Sequence, residues 1–163
     1  MRNKFNISII FFVLIVFCIQ ILLPTITFLK FSLVPDILIV FLTYVGIYKY
    51  RYETVIISFI LGLIQDFSTQ NELLGIMAFS KTITGYGLGT LSLYIDIWSV
   101  HFRMLFIFII FIIHFFIYNF IKMNSFAIPF ATIMEIVILN SILSFFILLI
   151  IDKFIMKNSI SKK

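Results

Sequence analysis

GLIQDFSTQNELLGIMAFSK (residues 62–81) sets Asp66, Glu72 and Lys81 in and between two apolar runs. The sequence on either side is dominated by Ile, Leu, Phe and Val. If these charges face lipid, the chain is a passive anchor. If separate segments bring them together away from lipid, it is a membrane protein with an internal polar site. The surrounding sequence favours the second reading.

The chain has 163 residues, 63% hydrophobic and 12% charged, with a mean hydropathy of +1.21. A soluble domain of this length needs far more polar surface to cover its core. Residues 1–163 therefore read as one all-α transmembrane domain, with no stretch left for a soluble module. The single cysteine, Cys18, excludes an intrachain disulfide and a multi-cysteine metal site. The start, MRNKFNISIIFFVLIVFCIQILLP (1–24), has the basic-then-apolar order of a signal peptide. Its apolar run is long, however, and no small-x-small cleavage site follows it, so it reads as an uncleaved first span.

Hydropathy places six spans at about 6–23, 33–48, 54–66, 73–94, 103–121 and 126–151. A crossing helix takes about 20 residues. The third span is short, and a half-buried or re-entrant helix there, giving five crossings, is the rival topology. With the N-terminus in the cytoplasm, the inner segments hold Arg2, Lys4, Lys49, Arg51, Arg103, Lys153, Lys157, Lys162 and Lys163, against Lys30 and Lys122 outside. This bias predicts a multi-pass membrane protein with both termini cytoplasmic, including a tail at 152–163 that touches anionic membrane lipids. The net charge of +5 is thereby explained by orientation. Nucleic-acid binding is not, because the basic residues form no single stripe.

In the fourth span, Gly75, Ala78, Thr82, Gly85 and Gly89 recur at steps of three and four, which puts them on one helix face. Such a small-residue face lets another backbone approach closely. Packing against a span of the same chain is preferred to a dimer contact. Lys81 lies about 13 Å below the outer end of this span. An ammonium there costs about 2.5–3.5 kcal/mol unless it is paired. Glu135, descending from the same side in the last span, reaches a similar depth. Asp66 ends the third span near that surface and Asp36 begins the second. The expectation is an intramembrane polar cluster of Asp36, Asp66, Lys81 and Glu135, its ion pair Lys81–Glu135 or Lys81–Asp66, locking helix register rather than transporting or catalysing. Gln20, Gln65 and Asn119 fall in the same outer half, with His114 and Asn140 near mid-membrane.

Other constellations carry less. His114 has no His or Cys at ligand spacing, which argues against a metal site. Ser80 and Lys81 are neighbours about 100° apart on a helix, a poor arrangement for a nucleophile and its base. GYGLG (85–89) lacks the Lys and Ser of a phosphate loop. Trp98, Tyr94 and the tyrosines of 48–52 mark the cytoplasmic edge as an aromatic belt. No catalytic residue, metal or cofactor is expected.

LVPDILIVFLTY (33–44), FILGLIQDF (59–67) and ELLGIMAFSKTITGYGLG (72–89) resemble, in order and spacing, the rod shape-determining protein MreD family. That family has a Pro-Asp entering the second span, a Gly-Leu-x-x-Asp ending the next and a Leu-Gly opening the one after. STQNE (68–72) lacks the glycine expected in that loop. The resemblance implies a six-helix fold similar to the substrate-binding subunits of energy-coupling-factor transporters. It also implies a non-enzymatic scaffold of the cell-wall elongation complex, acting with the bitopic protein MreC, the MreB filament, a RodA-like polymerase and its penicillin-binding transpeptidase. By motif, Pro35, Asp36, Gly62, Asp66, Gly75 and Lys81 carry over as important. The rival function is a small-molecule-binding subunit of an energy-coupling-factor-type transporter, whose polar cluster would open outward as a pocket.

Overall fold

The computed structural model describes residues 16–18, 20, 26–28, 31–33, 35–69, 74–124, 129–154 and 160. Residues 16–18 and 20 are helical; the rest of the first expected span lies outside the described residues. A short antiparallel ribbon follows. Strand β1 (Ile26–Phe28) pairs with β2 (Phe31–Leu33), Thr27 opposite Ser32. The ribbon's β-branched and aromatic residues favour extended backbone once the apolar run is interrupted. The other described elements are helical, as the all-α reading expects.

Helix α1 (Ile37–Tyr48) starts where Asp36 caps it. The Asp36 backbone is extended, and its Oδ1 accepts from the amides of Leu38 at 3.0 Å and Ile39 at 3.3 Å. This cap, placed after Pro35, is why the helix begins at Ile37 rather than at 33. Every residue from Leu38 to Ile47 is buried. At 12 residues, α1 is about 18 Å long, well short of a typical bilayer core of about 30 Å. A helix hydrophobic on all sides and wrapped by protein is the centre of a bundle.

Helix α2 (Arg51–Thr69) has 19 residues, so the third expected span is not short. Its first turn was read as loop because Arg51 and Glu53 depress hydropathy. In the structure Glu53 Oε2 accepts from the Tyr50 amide at 3.2 Å, and the Thr54 amide donates to Tyr50 O at 3.0 Å. The charged turn therefore belongs to the helix. Helix α3 (Ile76–Gly89) and the single turn α4 (Leu91–Tyr94) replace the continuous span expected over 73–94. The break falls at Thr90, after Gly85, Gly87 and Gly89 have thinned the helix-forming tendency. Gly75, just before α3, takes φ 100°, a left-handed conformation that suits glycine.

Helices α5 (Val100–Asn124) and α6 (Phe130–Phe154) have 25 residues each, about 37 Å. Both are long and apolar enough to cross a membrane. Pro129 precedes α6 and its carbonyl accepts from the Thr132 amide at 3.0 Å, which fixes the start four residues beyond the one expected. The main core surrounds α1: Leu38, Leu42 and Ile47 pack with Leu61 of α2, Leu88 of α3, Ile107 and Phe111 of α5 and Leu148 of α6. Phe115, Ile133 and Val137 form a smaller cluster between α5 and α6. Ile160 is 1% exposed and belongs to the main core. Ile160, in the stretch read as a lipid-touching tail, thus packs in the bundle. The loop at 70–73, with Glu72, lies outside the described residues.

Candidate functional site: a buried ion pair at the head of the central helix

Asp36 does two things at once. One carboxylate oxygen caps α1, as above. The other, Oδ2, accepts from Lys81 Nζ of α3. The two side chains are 4% and 0% exposed. Lys81, with Ser80, Thr84 and Leu88, is among the buried residues of α3. The site is closed by further polar groups. Ser144 Oγ of α6 accepts from the Asp36 amide at 3.4 Å. Gln20 brackets the chain before α1, its Nε2 donating to Pro35 O at 3.1 Å and its Oε1 accepting from the Ile37 amide at 2.6 Å. His114 of α5 sets Nε2 3.4 Å from Asp36 Oδ2 and Nδ1 3.1 Å from Thr84 Oγ1. Its ring is fully buried.

The expected ion pairs are corrected by this geometry. Lys81 pairs with Asp36, not with Glu135 or Asp66. Glu135 is exposed, on the same stripe of α6 as the exposed Ile138, Ile142 and Phe146. Glu135 does not point inward as expected, since Ile133, Ile136, Val137 and Asn140 take the inward face. Asp66 is 0% exposed and joins α2 to α3 in another way. Its Oδ2 accepts from the amides of Gly75 at 3.1 Å and Ala78 at 2.9 Å, and its Oδ1 from Met77 at 3.0 Å. A carboxylate on the free amides of a helix N-terminus satisfies orphan donors and complements the helix dipole. Asp66 therefore caps a helix that begins ten residues later in the chain.

The small-residue stripe of α3 meets α2. A Cβ at Gly62 would collide with the backbone of Met77 and Ala78, one at Gly85 with Ser58, and one at Gly89 with Arg51. Thr82 lies half-buried on the same side and returns its hydroxyl to Ala78 O at 2.6 Å. Gly75 is the exception. It stands in the turn ahead of α3, with nothing within 4 Å of a Cβ built there, so its role is conformational rather than packing. Helical spacing was extended one step past the true start of the helix.

His114, Thr84 and Ser144 were missed as members of the site. The readable signal for His114 was its place on the Ile107–Phe111–His114 stripe, all buried. At the opposite end of the bundle a second polar clasp forms. Arg103 donates through Nε to Trp98 O at 2.9 Å and through a terminal nitrogen to Ile160 O at 2.6 Å, while Asp152 Oδ1 accepts from the Ile160 amide at 3.2 Å.

A closed helical bundle with two membrane-length apolar helices and an ion pair shut inside it is a membrane protein, and its polar centre joins helices to one another. The sequence matches the family of rod shape-determining protein MreD over residues 1–158, and the chain belongs to that family. The family's role is the determination of rod cell shape, and it is not known for catalysis. Comparison with curated proteins and with solved structures returned no match.

Proposed function

We propose that this protein is a non-enzymatic scaffold of the cell-wall elongation complex in the bacterial inner membrane. It crosses six times with both termini in the cytoplasm. It holds a bitopic MreC-like protein and wall synthases, a RodA-like polymerase and its transpeptidase, in register with the MreB filament. Family membership supplies the setting. The observation that carries the reading is the closure of the polar centre. Asp36, Asp66, Lys81 and His114 are 3%, 0%, 0% and 0% exposed, and each makes a hydrogen bond to another segment of the same chain. A solute-binding transport subunit calls instead for an outward pocket lined by Asp66, Lys81 and Glu135, and Glu135 stands on the outer surface. Within lipid, apolar burial gives little drive for helix association, so partner binding rests on packing and a few polar contacts.

Crosslinking in native membranes tests the proposal. The expected neighbours are a single-span periplasmic protein and wall-synthesis enzymes. Recovery of ATP-binding cassette proteins alone overturns it.

A further inference from the structure

We propose that the Asp36–Lys81–His114 cluster is a proton-binding site, with His114 Nδ1 as the atom that takes up and gives back the proton. The assignment follows from counting hydrogens. Nε2 of His114 faces Asp36 Oδ2 at 3.4 Å, an oxygen already engaged by Lys81. Nε2 makes no hydrogen bond, but a lone pair there would lie beside a carboxylate, so the hydrogen is assigned to Nε2 and the neutral ring presents Nδ1 as an acceptor. The group beside Nδ1 is the Thr84 hydroxyl, 3.1 Å away.

Thr84 has one hydroxyl hydrogen and two acceptors for it: His114 Nδ1, and Ser80 O at 2.8 Å. With the ring neutral, the hydrogen points to Nδ1, and Ser80 O keeps its ordinary helical amide. When Nδ1 binds a proton, the hydroxyl turns to Ser80 O and its oxygen accepts from Nδ1–H. Nothing but one hydroxyl rotor moves, and Nδ1 is partnered in both states. A buried histidine with a fixed donor or a fixed acceptor at that nitrogen tolerates only one state.

The charges around the ring set the effect. From α1 it faces Asp36 and from α3 Lys81. Asp66 of α2 is committed to the amides that open α3. Helix α6 contributes the uncharged Ser144 and Asn140 to its buried face, with Glu135 and Lys153 exposed and Asp152 held by Ile160 at the other end. The neutral ring leaves a balanced Lys81–Asp36 pair. A second proton makes Asp36 the counter-ion of two cations, so acidification loosens the hold of α3 on the head of α1.

The test uses the full chain with 15N-labelled histidine in vesicles of phosphatidylethanolamine and phosphatidylglycerol, and His101→Gln to leave one imidazole signal. The expected result is an Nε2–H neutral ring that takes one proton at Nδ1 as the pH is lowered from about 8, while Trp98 fluorescence reports an intact bundle. Thr84→Val removes the rotor and weakens proton uptake about tenfold or more; Thr84→Ser leaves it as in the parent. The proposal is overturned by a neutral ring with its hydrogen on Nδ1, by unfolding before any uptake, or by an unchanged midpoint in Thr84→Val.

Discussion

Lys81 and Asp36 each have one charged partner of consequence, so single changes are severe. Lys81→Met leaves the Asp36 carboxylate buried without its cation and is expected to cost about 3–5 kcal/mol, read as a lower thermal unfolding midpoint in detergent. Asp36→Asn keeps an oxygen for the α1 cap and costs less. The two together cost less than their sum by at least about 1 kcal/mol, because the second change removes a charge that the first left stranded. Strict additivity in that cycle would show that the pair contributes nothing as a pair. Asp66→Ala removes the acceptor of three amides at the start of α3; a loss of about 2–3 kcal/mol is expected, with Asp66→Asn retaining part of it. The need of Lys81 for an acid from another span was legible in sequence, because a buried ammonium is costly anywhere in lipid. The identity of that acid was not. Depth follows from counting residues, but Asp36 and Glu135 differ in azimuth, which only packing decides.

Helix pairing is set where side chains are missing. Between α2 and α3, Gly62 lies against the Ala78 backbone and Gly85 against Ser58. Gly62→Ala meets backbone, which cannot rotate aside, and is expected to destabilise by about 1–3 kcal/mol. Gly85→Ala meets a side chain, so Ser58→Gly in the same molecule should restore much of the loss; unfolding midpoints of the single and double variants measure this. A failure of Ser58→Gly to help would place the clash elsewhere. Gly75→Ala meets nothing but must hold a left-handed backbone, at a cost of about 1 kcal/mol. The periodicity of Ala78, Gly85 and Gly89 revealed a close-packing face from sequence alone, and the structure supplies its partner, α2. Helix ends were harder to read. Hydropathy stops α2 at its first charged residues, whereas Glu53 and Thr54 secure that turn with hydrogen bonds that have no hydropathic signature.

At the scale of the molecule, the direction of each helix is the testable quantity. If the proposed orientation holds, a reagent that cannot cross the membrane labels Asp96→Cys, in the exposed turn after α4, only from the cytoplasm. A cysteine at Pro129, ahead of α6 and exposed, is labelled only from outside, both in a Cys18→Ser background. Labelling of the two from one side would remove a crossing. The membrane class was plain from composition, and the family from three short motifs in order. The central position of α1 was not, because a uniformly apolar run reads alike whether lipid or protein surrounds it.

The clasp at Ile160 bears on how the protein is handled. Arg103 and Asp152 grip the main chain rather than a side chain, so residue 160 tolerates other apolar side chains but not removal. Reporters appended after Lys163 leave the grip in place. Versions cut before Ile160 strand a guanidinium and a carboxylate at that end of the bundle, and they should fall to membrane proteolysis sooner than tagged ones.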